Sequence, residues 1–258
     1  MHSWMNNGAA EQPDIWIARS KRIAEKAIKP QPREDVCPNC HGNGVIPLRR
    51  PDGTPYVIDC GCMANQQLRR RVVNSGIAEH LVKMCSFESF HPDSPALERM
   101  KQIAADYAKN PTQWLYLSGT SGCGKTHLAV AAAVELMKQG QSVVYMNFST
   151  EITVLKRVGG NPEERDKRIR EAQSCPVLVL DDLLSGSDKP SAADVQVAFE
   201  ILSKRYERGL PTILTSKWSF AQLSAWSEPL GSRIYQRSKH SAIHIKEDSR
   251  FNYRLRKN

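Results

Sequence analysis

Residues 119 to 126 read GTSGCGKT, and their types and spacing suit the holding of phosphate oxygens. Gly119, Gly122 and Gly124, with Thr120, Ser121 and Cys123 between them, let main-chain N–H groups approach an anion at the start of a helix, where the helix dipole favours negative charge. Lys125 supplies a cation for β and γ phosphates, Thr126 a hydroxyl for Mg²⁺, and His127 follows on the first helical turn. The pattern G-x-x-x-x-G-K-[ST] lies between the apolar run WLYLS and an amphipathic stretch. It implies binding of ATP or a similar nucleoside triphosphate, without saying what the energy is for.

A phosphate loop needs an acid to hold the metal and another to activate water. The run PVLVLDD, residues 176 to 182, ends in two. Asp181 is expected to hold Mg²⁺ and Asp182 to polarise the attacking water as general base.

Four of the seven cysteines are bunched at Cys37, Cys40, Cys60 and Cys62. A C-x-x-C, nineteen intervening residues and a C-x-C can surround Zn²⁺ tetrahedrally, with Gly42 and Gly44 suiting a knuckle and PDGTP a hairpin. His41 is an alternative ligand, although four thiolates already fill the shell. Such a site is structural, since no coordination position is left for water, and the metal contributes folding energy to a module too small to bury much core.

The elements that position these groups are legible as well. Residues 1 to 12 read as unstructured and 13 to 29 as a helix stopped by Pro30 and Pro32; a second basic helical stretch covers 64 to 84, and SFESFHPDSP is a linker. Ser94-Pro95 has the chemistry of a helix start. Beyond it strands and helices alternate: 114–118, a helix to Gly140, 142–147, a basic helical stretch from about 150 to 173, 176–182, a helix 192–208, 212–216, helices to about 238, and 242–246. The expected fold is therefore α/β, a five-stranded parallel sheet flanked by helices, behind a small N-terminal module. The boundary is drawn at 85/86, giving 1–85 for partner interaction and 86–258 for the nucleotide core.

The chain of 258 residues carries 36 Lys+Arg against 27 Asp+Glu, a formal net charge of +9, which favours polyanionic partners. No run approaches the roughly 20 apolar residues of a membrane span, and the polar start lacks a signal peptide, so a cytoplasmic protein without membrane partners is expected.

Together SFESF, GTSGCGKT, LVLDDL, ILTS and GSRIYQR resemble the helicase-loader ATPases of the AAA+ superfamily, the DnaC and DnaI type, with the IstB-type transposition helpers as near relatives. The resemblance covers roughly residues 85 to 258. It implies that Phe87 or Phe90 lies near the adenine, that Lys217 stands where the family usually has a γ-phosphate-sensing asparagine, and that Arg233 is the arginine finger. A lysine cannot orient water as an amide does, which leaves Thr215 or Ser216 to share that role. Asp182 is one methylene shorter than the usual glutamate, which is compatible with slow, switch-like hydrolysis. Too few residues follow the last strand for the helical lid of most AAA+ proteins, so closure is expected to need a neighbouring subunit, with self-association through the ATP sites. Arg250 and Arg254 are left unassigned.

The resemblance implies an ATP-controlled loader that binds a hexameric replicative helicase and delivers it to single-stranded DNA. The candidate DNA surface is the basic stretch with Lys156, Arg157, Arg165, Lys167, Arg168 and Arg170, interleaved with Glu163, Glu164 and Glu171. The alternatives are an IstB-like transposition target-selection ATPase, a small-molecule P-loop kinase, and a zinc-dependent adaptor whose nucleotide site is a passive switch.

Overall fold

A computed structural model describes residues 37–41, 43–157, 162–246 and 251–253. The expected tail 1–12, the helix 13–29, Gly42, Arg250 and Arg254 lie outside the described residues. The chain divides into two compact units, residues 1–62 and 63–258.

In the first unit, β1 (Val45–Arg49) and β2 (Pro55–Asp59) form an antiparallel hairpin with Val45 opposite Asp59 and Arg49 opposite Pro55. The turn is made by Asp52, whose carboxylate accepts the Thr54 N–H at 2.9 Å, and by Gly53 at φ 84°. Every residue of β2 is exposed. Cys40 and Cys60 are the buried hydrophobic side chains among this unit's described residues, so apolar burial does little to hold those residues together.

The larger unit starts earlier than the sequence suggests. Helices α1 (Gly61–Ser75) and α2 (Glu79–Met84) lay Leu68, Val72, Leu81 and Val82 on the core, and Ile77 and Cys85 are buried in it. The boundary therefore falls at 62/63 and not at 85/86: the basic character of 64–84 belongs to the outer face of helices whose apolar stripe is already committed to the core.

Then follow α3 (Pro95–Lys109), β3 (Trp114–Gly119), α4 (Lys125–Lys138), β4 (Val143–Asn147), α5 (Phe148–Arg157), α6 (Pro162–Ser174), β5 (Val177–Asp181), α7 (Ala192–Arg208), β6 (Thr212–Ser216), α8 (Phe220–Trp226), α9 (Glu228–Ser238) and β7 (Ala242–Ile245). Ser94 caps α3 by accepting the Leu97 N–H, with Pro95 at the first turn as expected. The basic stretch resolves into the two helices α5 and α6.

The five strands run parallel in the order β4-β5-β6-β3-β7. Alternation along β3 explains the layering. Leu115 and Leu117 face one core with α3 and α4, while Trp114 and Tyr116 face the other with α7 and α9. A strand buried on both faces reads as a continuous apolar run, and all six residues of β3 are buried. The order sets β5 and β3 on either side of β6, so the acids ending β5 and the loop following β3 emerge at one carboxyl edge, where open α/β sheets bind ligands.

Candidate nucleotide site

The loop after β3 turns into α4 through Gly124 at φ 93°, a left-handed conformation that disfavours other residues. Gly124 is required a second time: a Cβ there would collide with the Phe90 ring. Phe90 is buried, and its ring lies 5.4 Å from that of His127. His127 Nε2 lies 2.8 Å from the Ser86 carbonyl. The linker 86–90 is thus packed onto the loop.

Lys125 is 7% exposed, and its ammonium donates to the carbonyls of Gly119 at 2.9 Å and Thr120 at 2.7 Å. Its Nζ lies within the loop itself, held by groups it can exchange for phosphate oxygens. Cys123 is fully buried beside it, and burial pushes its thiol pKa up.

Asp181, at the end of β5, is 1% exposed and is met by three hydroxyls. Thr126 donates to its two carboxylate oxygens at 3.0 and 3.1 Å, Tyr145 at 2.8 Å, and Thr215 at 2.5 Å. Burial first, and then the negative charge of Asp181, hold the Tyr145 phenol protonated well above its ordinary range. A buried carboxylate is stable when its lone pairs are satisfied in this way. The Thr126–Asp181 contact brings the end of the phosphate loop to the acid, the arrangement a magnesium ion between them requires.

Asp182 has a left-handed backbone, φ 55°, a conformation that costs a non-glycine residue roughly 1 kcal/mol or more. It is held there because its N–H donates to Thr215 at 2.9 Å while the next residue, Leu183, donates to the Thr215 carbonyl at 2.8 Å. The sharp turn sends the two adjacent acids in different directions. Asp181 stays in the core, and Asp182 lines the cleft.

That cleft, of about 660 Å³, is lined at one end by Ser121, Gly122, Gly124, Lys125, Thr126, Asp182, Ser185 and Lys217, and elsewhere by Leu81, Met84, Cys85, His127 and Tyr253. The volume is that of a small-molecule site. Lys217 reaches it from the end of β6 with its ammonium 3.6 Å from Asp188 and 4.5 Å from the centre of the Trp218 ring. Ser216 instead donates to the Leu183 carbonyl at 2.7 Å and acts on the backbone.

The structure does not gather every expected residue here. Phe87 is half-buried against the α3–α4 core, and neither Phe87 nor Phe90 lines the cleft. Arg233, on α9, is half-buried over the rings of Phe199 and Tyr206 at 5.1 and 5.6 Å, and donates to the Pro229 carbonyl at 2.8 Å. On α6, Arg168 is paired with Glu151 at 2.8 Å and Glu164 at 3.5 Å, Arg165 with Glu200 at 3.2 Å, and Arg170 with Asp166 at 4.0 Å. The side chains of Lys156 and Arg157 lie outside the described residues. Tyr145 and Tyr253 had no sequence signal: one joins through the β4–β5 register and the other from beyond the last strand.

In the N-terminal unit the four sulfurs of Cys37, Cys40, Cys60 and Cys62 lie within 4.8 Å of one another. Cys37 and Cys60 are 3.6 Å apart, and Cys40 and Cys62 3.3 Å. Tetrahedral ligands at the usual zinc–sulfur distance of about 2.3 Å stand roughly 3.8 Å apart, so the four thiols can hold a metal ion after slight expansion. Hydrogen bonding to Cys40, then to Cys60, pushes the Cys62 thiol pKa up, whereas backbone donors, that of Cys40 foremost, hold Cys37 down. His41, at φ 48°, is not part of the cluster.

Sheet order, phosphate loop and paired acids define an α/β P-loop core of the AAA+ type. The chain belongs to the family of IstB-like ATP binding proteins, whose model matches residues 69–258. The phage-like element PBSX protein XkdC of Bacillus subtilis is 31% identical over 248 residues, 89% of this chain and 90% of the relative. The replicative helicase loader DnaC of Escherichia coli is 25% identical over 180 residues, 67% of this chain and 70% of the relative. Among solved structures, the DnaC helicase loader superposes with a TM-score of 0.54 at 24% identity, over 66% of this chain and 100% of that chain. No helix among the described residues is long and apolar enough to cross a membrane.

Proposed function

We propose that this protein is a slow Mg²⁺-dependent ATPase that loads a hexameric replicative helicase onto single-stranded DNA. The observation that carries the ATPase reading is the convergence of Thr126 on the Asp181 carboxylate at 3.0 Å beneath a cleft lined by Lys125 and Asp182. In this reading the loop from Gly119 to Thr126 cradles the phosphates, and Lys125 exchanges its two carbonyl partners for phosphate oxygens. Magnesium, held by Thr126 and Asp181, would neutralise phosphate charge when bound. Asp182 accepts the proton of the attacking water, and Lys217 contributes positive charge at the far end.

Arg233 is assigned as a finger acting on the cleft of a neighbouring subunit, since it is half-buried on its own helix and lies outside its own cleft. The N-terminal unit is assigned a structural zinc, because its described residues bury little apolar surface and need another source of folding energy. Its fully exposed β2, which includes Val57 at 61% exposure, supports a role in partner binding. The family and the likeness to DnaC support helicase loading. The paired arginines on α6 mean that DNA binding there has to exchange carboxylates for phosphates, so Lys156, Arg157 and Lys167 are the first residues to test.

The experiment is helicase deposition on protein-coated single-stranded circles, scored by unwinding of an annealed strand. The full chain with ATP is expected to stimulate unwinding. A chain lacking residues 1–62 is expected to bind ATP and fail to stimulate. A purified full chain that hydrolyses ATP yet neither binds nor deposits any hexameric helicase from its own cell would remove the loader role and leave the ATPase.

A further inference from the structure

The cleft is chemically mixed. Its charged and hydroxyl groups, Lys125, Thr126, Asp182 and Lys217, are accounted for by a triphosphate; its apolar and aromatic groups are not. Of these, α2 contributes Leu81 and Met84, Cys85 is its C-cap, and Tyr253 comes from beyond β7. Met84 is 66% exposed, an apolar side chain left at the mouth of a pocket whose floor is made to hold anions.

Tyr253 is fixed there from three directions. Its N–H donates to the Gly122 carbonyl at 3.2 Å, its hydroxyl donates to the Asp93 carboxylate at 2.7 Å, and it packs with Phe251 on the α3–α4 core. The preceding Asn252 lies against Gly122 so closely that a Cβ on that glycine, already at φ 78°, would overlap its amide. Gly122 thus admits Asn252 as well as a phosphate. The result is an aromatic ring held in place beside the phosphate loop before any ligand arrives, the preorganised surface on which a flat π-system stacks.

We propose that Tyr253, together with Leu81 and Met84 of α2, forms the subsite that takes the nucleobase of the bound nucleotide. The proposal rests on the ATP reading of the cleft. It assigns base recognition to Tyr253, and leaves Phe90 to support the phosphate loop from Gly124. A ring stacked on a base and anchored at its hydroxyl end contributes to affinity for ATP but not for the phosphates alone.

The test compares ATP with inorganic tripolyphosphate, each with Mg²⁺, by titration calorimetry on the full chain. Tyr253→Ala should weaken ATP about tenfold or more, the range of single aromatic–base stacks, while leaving tripolyphosphate within about twofold of wild type, which also shows that the variant is folded. Tyr253→Phe should keep most ATP affinity because the ring persists. Met84→Ala should lose a smaller factor for ATP alone. Unchanged ATP affinity in Tyr253→Ala overturns the subsite, and so does an equal loss for both ligands, which would make Tyr253 a strap on the loop. Lys125→Ala is expected to weaken both ligands; a wild-type chain that binds tripolyphosphate and ATP equally, or binds neither, overturns the subsite, the second result together with the ATP reading beneath it.

Discussion

Thr215 accepts the main-chain N–H of Asp182 at 2.9 Å and donates the same hydroxyl to the neighbouring Asp181. One oxygen thus fixes both the acid assigned to the metal and the backbone of the acid assigned to water. Thr215→Val keeps the shape and removes both bonds, so it should lower turnover by about tenfold while sparing ATP binding. Each lost bond should also cost about 1 kcal/mol of stability. Wild-type hydrolysis in a correctly folded Thr215→Val chain would show that the strand, and not its hydroxyl, sets the geometry.

Lys125 and Asp182 should separate binding from chemistry. Lys125→Ala removes the cation of the phosphate loop and is expected to abolish ATP binding or turnover. Asp182→Asn keeps a left-handed-tolerant side chain of the same shape but cannot accept a proton, so binding should survive and hydrolysis should not. Equilibrium binding beside single-turnover hydrolysis checks both; if the two variants hydrolyse ATP like wild type, the site is elsewhere.

The four cysteines should bind one zinc per chain, measurable by elemental analysis after gel filtration. Cys40→Ser is expected to lose the metal and unfold the hairpin while the core keeps its ATP affinity, because little apolar burial is available to compensate. Metal-free protein with protected hairpin amides in hydrogen exchange would mean that thiol contacts alone hold the unit.

A finger acting in trans makes a demand on mixtures. Arg233→Ala and Lys125→Ala chains should each be inactive alone, yet together regain hydrolysis at interfaces pairing an intact loop with an intact arginine. A mixture that stays inactive under conditions where wild type assembles and turns over places Arg233 outside the chemistry, as an arginine stacked on Phe199 and Tyr206.

Local signals carried the phosphate loop, the strand ending in Asp181 with Asp182 in the turn after it, and the cysteine spacing, because each is written in residue types at short, fixed spacings. Strand alternation likewise revealed the parallel sheet. Contributions that depend on register were out of reach. Tyr145 meets Asp181 only because β4 lies beside β5, and Tyr253 joins only because it lies against Gly122. Arg205 is a further case: a charged residue on an amphipathic helix reads as solvated, yet it is fully buried, donating to the carbonyls of Ala172, Cys175 and Pro211 and to Thr212. Two of those acceptors, the Ala172 and Cys175 carbonyls, lie 33 and 30 residues away in sequence, so only the assembled fold explains the charge. The domain boundary moved for a related reason, since helix polarity in 64–84 was visible while the surface receiving its apolar face was not.

The packing of Phe90 onto Gly124 gives the phosphate loop a mechanical output. A close-packed contact with no room for even a methyl group transmits displacement without slack, and His127 clamps the same linker through Ser86. The Phe90 carbonyl is held in turn by Lys101 of α3 at 3.1 Å. On the ATP reading, a shift of the loop would therefore be passed to residues 86–90, which are held against α3 and lead back to α2.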